Sequence, residues 1–185
     1  IASDASTLIK AEEGSSTLSE IGHTIAYDRR DSRLKPTKGY VLKLDTDLAG
    51  LGGSLSHARN TGSAATYYSF ADQWVLSLRG KAGYIVGLGE DVVLSERYFL
   101  GGDDVRGFET SGLGPRDIAT DDSLGGEWMY SSSLELMFPT GLPEELGVGG
   151  RVFTDIGTSG SLSPVNSTTR DETSLRMAMG AGLTW

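Results

Sequence analysis

The sequence predicts an all-β fold, a transmembrane antiparallel β-barrel to which this chain contributes about seven strands. Three observations predict it. Apolar and polar residues alternate with period two in seven segments bounded by Gly, Pro, Asp and Ser clusters, while helix signals are scarce. Each segment runs about 9–13 residues, longer than the ~5–6 of soluble sheets and suited to a tilted membrane crossing. Glycine is abundant, 26 of 185 residues, and several glycines fall on the polar faces.

The first strand is expected over Thr17–Tyr27, with Ile21, His23, Ile25 and Tyr27 on one face and Glu20, Gly22, Thr24 and Ala26 on the other. The second, Tyr40–Leu48, sets Tyr40, Leu42, Leu44 and Leu48 against Lys43, Asp45 and Asp47. The third lies within Leu55–Phe70, where Gly62, Ala64 and Ala65 blur the register. In the fourth, Trp74–Val86, Leu76, Leu78, Ala82 and Tyr84 oppose Ser77, Arg79 and Lys81. The fifth, Glu127–Phe138, sets Leu134, Leu136 and Phe138 against Ser133 and Glu135. In the sixth, Gly147–Gly157, Val148, Val152 and Ile156 oppose Arg151, Phe153 and Asp155. The seventh, Thr173–Trp185, sets Leu175, Met177, Met179, Leu183 and Trp185 against Arg176, Ala178, Gly180 and Gly182.

Alternation alone admits a soluble sandwich as well as a barrel. The polar faces favour the barrel, since Gly22, Gly83, Gly180 and Gly182 sit among charged residues, as a lumen allows. Connection lengths agree: "ADQ" and "FPTGLPEELG" are short to medium, whereas about forty residues separate Gly87 from Gly126. Seven strands do not match the even count of a closed bacterial barrel, so the chain reads as part of something larger. No run of eighteen apolar residues suggests a transmembrane helix. A net charge of −9 argues against nucleic acid. Cysteine is absent, and with it disulfides and cysteine-based zinc sites. The start at Ile1 shows no signal-peptide pattern, as expected of a processed or internal segment.

Chemistry-bearing motifs are few. His23 and His57 lie on different strands without ligand spacing, so no metal is expected and each reads as a surface or interface residue. No nucleophile elbow is present. "GLGG" (50–53) and "GLGE" (87–90) complete no phosphate loop and read as tight turns after strands. "NST" (166–168) matches a glycosylation sequon. Asp103, Asp104, Asp121 and Asp122 lack the spacing of a calcium loop and read as solvated loop.

The stretch "GGDDVRGFETSGLGPRD" (101–117) carries two arginines, and the first, Arg106, lies among apolar neighbours. Val105 and Phe108 flank it, and Gly107 permits a sharp turn or a close approach. Val105, Arg106, Gly107 and Phe108 therefore read as the tip of a loop docked in the lumen. A guanidinium there calls for carboxylates, and strand parity offers Glu135 and Asp155 on adjacent strands about 4.8 Å apart. The competing reading has these two acids simply lining a wet pore.

The segment "LGGDDVRGFETSGLGPRD" resembles the sixth-loop region of the BamA-type outer-membrane assembly factors, members of the barrel-assembly-machinery superfamily. "YDRRDSRLKPTKGYVLKL", "SERYFLGG", "SSLELMFPTGLP", "GRVFTDIGT" and "SLRMAMGAGLTW" are similar to further stretches of that family, in matching order over about residues 16–185. The resemblance implies a sixteen-stranded barrel in the bacterial outer membrane, with residues 1–185 as part of that single domain and a loop at about 87–126. It also implies that Arg106 meets Glu135 and Asp155. The implied activity is non-enzymatic and cofactor-free: folding and inserting nascent outer-membrane barrel proteins. Accessory lipoproteins, outer-membrane lipid and lipopolysaccharide are the implied partners. The resemblance implies that counterparts of the family's periplasmic POTRA domains, its first seven strands and its last two are to be expected outside residues 1–185. A TamA-type assembly factor and a two-partner-secretion pore are the alternatives within the superfamily, and a passive porin lies outside it.

Overall fold

The computed structural model describes residues 5–161 and 168–185. Seven long strands, β1 (Glu20–Asp28), β2 (Gly39–Ala49), β3 (His57–Ala71), β4 (Trp74–Gly87), β6 (Trp128–Pro139), β7 (Gly149–Gly160) and β9 (Arg176–Thr184), form one antiparallel meander in that order. A two-residue ladder pairs β5 (Arg116–Asp117) with β8 (Thr169–Arg170) above it. A short helix, α1 (Thr7–Ala11), precedes the sheet and is capped by the Ser6 hydroxyl. No described helix is long and apolar enough to cross a membrane.

The face assignments hold in the six long strands whose alternation defines them, and β3, with its blurred register, turns Tyr68 and Phe70 outward. Ile21, Ile25, Leu42, Leu44, Leu78, Leu134, Val152 and Met179 are all exposed, an arrangement stable only where the surrounding medium is itself apolar. The opposite face bears Ser77, Ser133, Glu135 and Asp155, all buried. Outward aromatics mark two levels. Tyr27, Tyr40, Tyr68, Phe70, Trp74 and Phe138 cluster at one end, with Trp74 5.7 Å from Phe138. Tyr84, Trp128 and Tyr130 stand at the other, the latter two stacked at 6.3 Å. Trp74 and Tyr84 are ten residues apart on β4; at ~3.3 Å per residue and ~40° tilt this spans about 25 Å, the height of a barrel's apolar band.

Strand ends differ from the sequence expectation where tertiary bonds intervene. β1 starts at Glu20 rather than Thr17, because the Thr17 and Ser19 carbonyls accept from Ser54 and Gly50 in the β2–β3 turn. β7 starts two residues late and continues to Gly160, since Gly147 takes a left-handed φ of 62° and the Thr140 hydroxyl holds the Val148 carbonyl. The last strand begins at Arg176 instead of Thr173; just ahead of it Asp171 accepts from Ser161 and Glu172 pairs with Arg176. β3 is the longest at 15 residues, and Gly62, Ala64 and Ala65 lie in unbroken register with β2. Both glycine-rich motifs follow strands as turns. Asn166 and Ser167 of the sequon lie outside the described residues.

His57 corrects its surface reading. It is 2% exposed, with Nε2 3.4 Å from Glu20 and 4.0 Å from Glu96, because β3 opens facing inward beneath the long connection. That connection, residues 88–127, folds back across the inner wall. Tyr98 bridges to Gly126 and Leu100 to Leu113. The apolar core consequently lies between loop and wall: Leu100, Val105 and Leu113 from the loop meet Met129 of β6, with Tyr98, Phe108 and Ala178 packed around them.

Candidate functional site

The loop tip is shaped by its own backbone. Gly102 donates to the Phe108 carbonyl at 3.1 Å, closing a small ring, and Gly107 adopts a φ of +87°, which costs a residue with a Cβ about 1–2 kcal/mol. Val105 is fully buried and fills the space above Gly157, where a Cβ would stand 2.7 Å from its Cγ2. The wall has thus lost a side chain where the loop seats one.

Arg106 projects from this tip into a square of four inward residues. Register places Ser133 of β6 opposite Asp155 of β7, and Glu135 opposite Phe153. The Arg106 Nε donates to Asp155 Oδ2 at 2.6 Å and Nη2 to Oδ1 at 2.8 Å, a two-point fork. Nη1 donates to Glu135 Oε2 at 2.5 Å, and Nη2 also reaches the Ser133 hydroxyl at 3.0 Å. The backbone N–H of Arg106 adds a bond of 3.1 Å to Asp155. The Phe153 ring lies 3.4 Å from the guanidinium carbon, a close cation–π contact. Gly180 on β9 makes room for that ring, since a Cβ there would meet it at 2.5 Å. In this loop position Asp155 first, and then Glu135, hold the guanidinium above its ordinary pKa against the opposing effect of burial.

All six residues singled out from the sequence meet here. Val105 and Phe108 flank the tip, Gly107 turns it, and Arg106 contacts both Glu135 and Asp155. Ser133 and Phe153 were legible as inward-facing but not as partners; the signal was their cross-strand register with the two acids. Two further cations were missed. Arg79 lies 3.7 Å from Glu135, and Lys81 is 3.3 Å from both Asp104 oxygens. Three cations (Arg79, Lys81, Arg106) therefore balance three acids (Asp104, Glu135, Asp155).

The solvated reading of the loop's acids holds for Asp103 and Asp121, both exposed, the latter 68% so while it meets Arg116 and Arg170 at the surface. It needs correction for Asp104, which pairs with Lys81, and for Asp122, which accepts from the Ser6 amide at 2.7 Å; both are half-buried. Asp117 is buried and caps the Ala119 and Thr120 amides. At the far end Tyr98 anchors the loop through Thr61 at 2.8 Å and the Asn60 carbonyl at 3.1 Å. Among the described residues no group of three or more His, Cys, Asp or Glu side chains could hold a metal.

An outward apolar surface bounded by aromatics and an inward polar wall carrying a docked loop define a class, the transmembrane β-barrel with an internal loop. Comparison with known proteins narrows it. The Omp85 superfamily domain matches residues 2–185, and the chain belongs to that superfamily. It is 34% identical over 184 residues to the outer membrane protein assembly factor BamA of Neorickettsia risticii, covering 98% of this chain and 25% of that protein. It is 32% identical over 149 residues to the human sorting and assembly machinery component 50 homolog, covering 79% and 31% respectively. The crystal structure of BamA from Haemophilus ducreyi lacking POTRA domains 1–3 shares the fold, with a TM-score of 0.78 at 21% identity over 90% of this chain and 36% of that one. The chain spans about a quarter to a third of these curated relatives. Its place is the bacterial outer membrane.

Proposed function

We propose that this chain is barrel wall from an outer-membrane protein assembly factor, one that folds and inserts β-barrel proteins. The supporting observation is the alignment with a bacterial assembly factor, which runs through 98% of the chain and so includes the docked loop and its wall. The work is physical: an exposed strand edge templates a client strand by main-chain pairing, the same interaction as β-augmentation. Clients are nascent outer-membrane barrels, with accessory lipoproteins and membrane lipid as further partners. Arg106, Gly107 and Phe108 keep the loop in the lumen, with Val105 seated at Gly157, while Glu135 and Asp155 fix it electrostatically.

The test is reconstitution of the full-length protein in lipid vesicles with a urea-unfolded client barrel. Accelerated acquisition of protease-resistant, heat-modifiable client is the expected result. Client folding at the rate of empty vesicles, together with conductance and passage of a dedicated secreted partner, would replace this reading with a secretion pore.

A further inference from the structure

The turn between β1 and β2 carries a charge opposite to that of the chain. Against a net charge of −9, residues 28–39 hold five cations, Arg29, Arg30, Arg33, Lys35 and Lys38, and two acids, Asp28 and Asp31. Both acids are engaged within the turn. Asp28 accepts twice from the Arg30 guanidinium, at 2.9 and 2.8 Å. Asp31 accepts from the Thr37 hydroxyl at 2.6 Å and from the amides of Ser32, Thr37 and Lys38. These bonds hold its carboxyl well below the usual range, the Thr37 hydroxyl contributing most. The acids thus set the shape of the turn, and Arg33, Lys35 and Lys38 remain exposed around it.

Two apolar features fix where this turn sits. Leu34, at the tip between Arg33 and Lys35, is 94% exposed. Tyr27 and Tyr40, outward-facing with rings 6.0 Å apart, stand at its base, and Arg29 donates to the Tyr27 hydroxyl at 2.8 Å. Outward tyrosines mark the headgroup level of a membrane protein. By sequence the other connections of this chain at this end carry Asp72, Glu144 and Glu145 and no cation, so among these connections the positive charge is confined to this turn. This is also the end with the shorter connections, the periplasmic side of an outer-membrane barrel, where phospholipid forms the leaflet.

We propose that the β1–β2 turn is a binding site for anionic phospholipid headgroups. Arg33, Lys35 and Lys38 face the headgroup phosphates, Arg29 is steadied on Tyr27 beside them, and Leu34 stands exposed at the tip among these cations. A preformed turn makes such contacts without first being ordered, and clustered juxtamembrane cations favour anionic lipid additively.

The test uses the full-length protein in phosphatidylcholine vesicles containing phosphatidylglycerol, with Leu34→Cys carrying a fluorophore. Quenching by headgroup-nitroxide phosphatidylglycerol is compared with quenching by the phosphatidylcholine analogue at equal mole fraction. We expect several-fold stronger quenching by the anionic lipid, lost in an Arg33→Gln/Lys35→Gln/Lys38→Gln variant and kept in Arg33→Lys. Heat-modifiable gel migration establishes that each variant is folded. Equal quenching by the two lipids overturns the proposal, as does a preference that survives the triple substitution. Stronger competition by lipid A than by phosphatidylglycerol overturns it too, placing the phosphates in the opposite leaflet.

Discussion

Replacing Arg106 by alanine tests the loop attachment at its most concentrated point. The substitution removes four side-chain hydrogen bonds and leaves Asp155, 1% exposed, and Glu135, 10% exposed, without their shared cation. Removing one partner of a buried pair costs about 3–5 kcal/mol. Two features of the wall reduce this. Arg79, at 3.7 Å, can move onto Glu135, and the backbone N–H of residue 106 still serves Asp155. The lower end applies, about 3 kcal/mol, or roughly a hundred-fold rise in the undocked loop population. Protease cleavage between residues 101 and 117 of the full-length protein in nanodiscs reads that population, provided reclosing outpaces cleavage. Heat-modifiable migration reports the barrel separately and is expected to be unchanged. Cleavage within two-fold of the parent rate in a folded barrel would refute the reasoning.

Further predictions follow from neighbouring contacts. Gly157→Val places methyl groups where Val105 already sits; overpacking of about 1–3 kcal/mol is expected to raise loop cleavage without changing lipid-facing surfaces. Leu134→Arg puts a cation on the lipid face near mid-strand and should lower folding stability in vesicles by about 2–4 kcal/mol, whereas an unchanged denaturation midpoint would reverse the assignment of faces. Tyr98→Phe removes the bonds to Thr61 and Asn60 and is expected to cost about 1 kcal/mol, read as faster amide exchange in residues 94–100. Asp31 has a depressed folded pKa, so its contribution is complete above the unfolded value of ~3.9 and fades as pH falls below it. Amide protection at Thr37 and Lys38 should follow that course in the parent and be flat with pH in Asp31→Asn.

Most of the wall was legible because period-two alternation reports local geometry directly. Leu42, Leu134 and Met179 could be placed outward, and Glu135 and Asp155 inward, without knowing which strands pair. The Arg106 site was legible for the same reason, as a buried guanidinium demands carboxylates and parity left two on adjacent strands. What escaped depends on contacts remote in sequence. Ser6 meets Asp122 across 116 residues, and His57 is buried by Glu96 of a loop 39 residues on. Asp104 looked solvated because a paired carboxylate and a free one are identical in composition and differ only in the cation that faces them, here Lys81 on β4. The β5–β8 ladder, two residues on each side, is too short to leave a periodic signature.

The proposed role of Arg106 and its carboxylate partners, holding the loop on this wall for client assembly, is tested most directly by restoring docking without the arginine. A Cβ on Gly107 would lie 3.8 Å from that of Ala178, within disulfide reach, and the strain of a side chain at its φ of +87° is common to the oxidised and reduced forms. Residues 1–185 contain no cysteine, and any elsewhere in the full-length protein is replaced by serine in parent and variant alike. The measurement is the rate of client-barrel folding by full-length Arg106→Ala/Gly107→Cys/Ala178→Cys protein in vesicles, oxidised against reduced. The account predicts slow folding when reduced and recovery toward the parent rate when oxidised. Equal rates in the two states, with the disulfide shown to have formed, would contradict it.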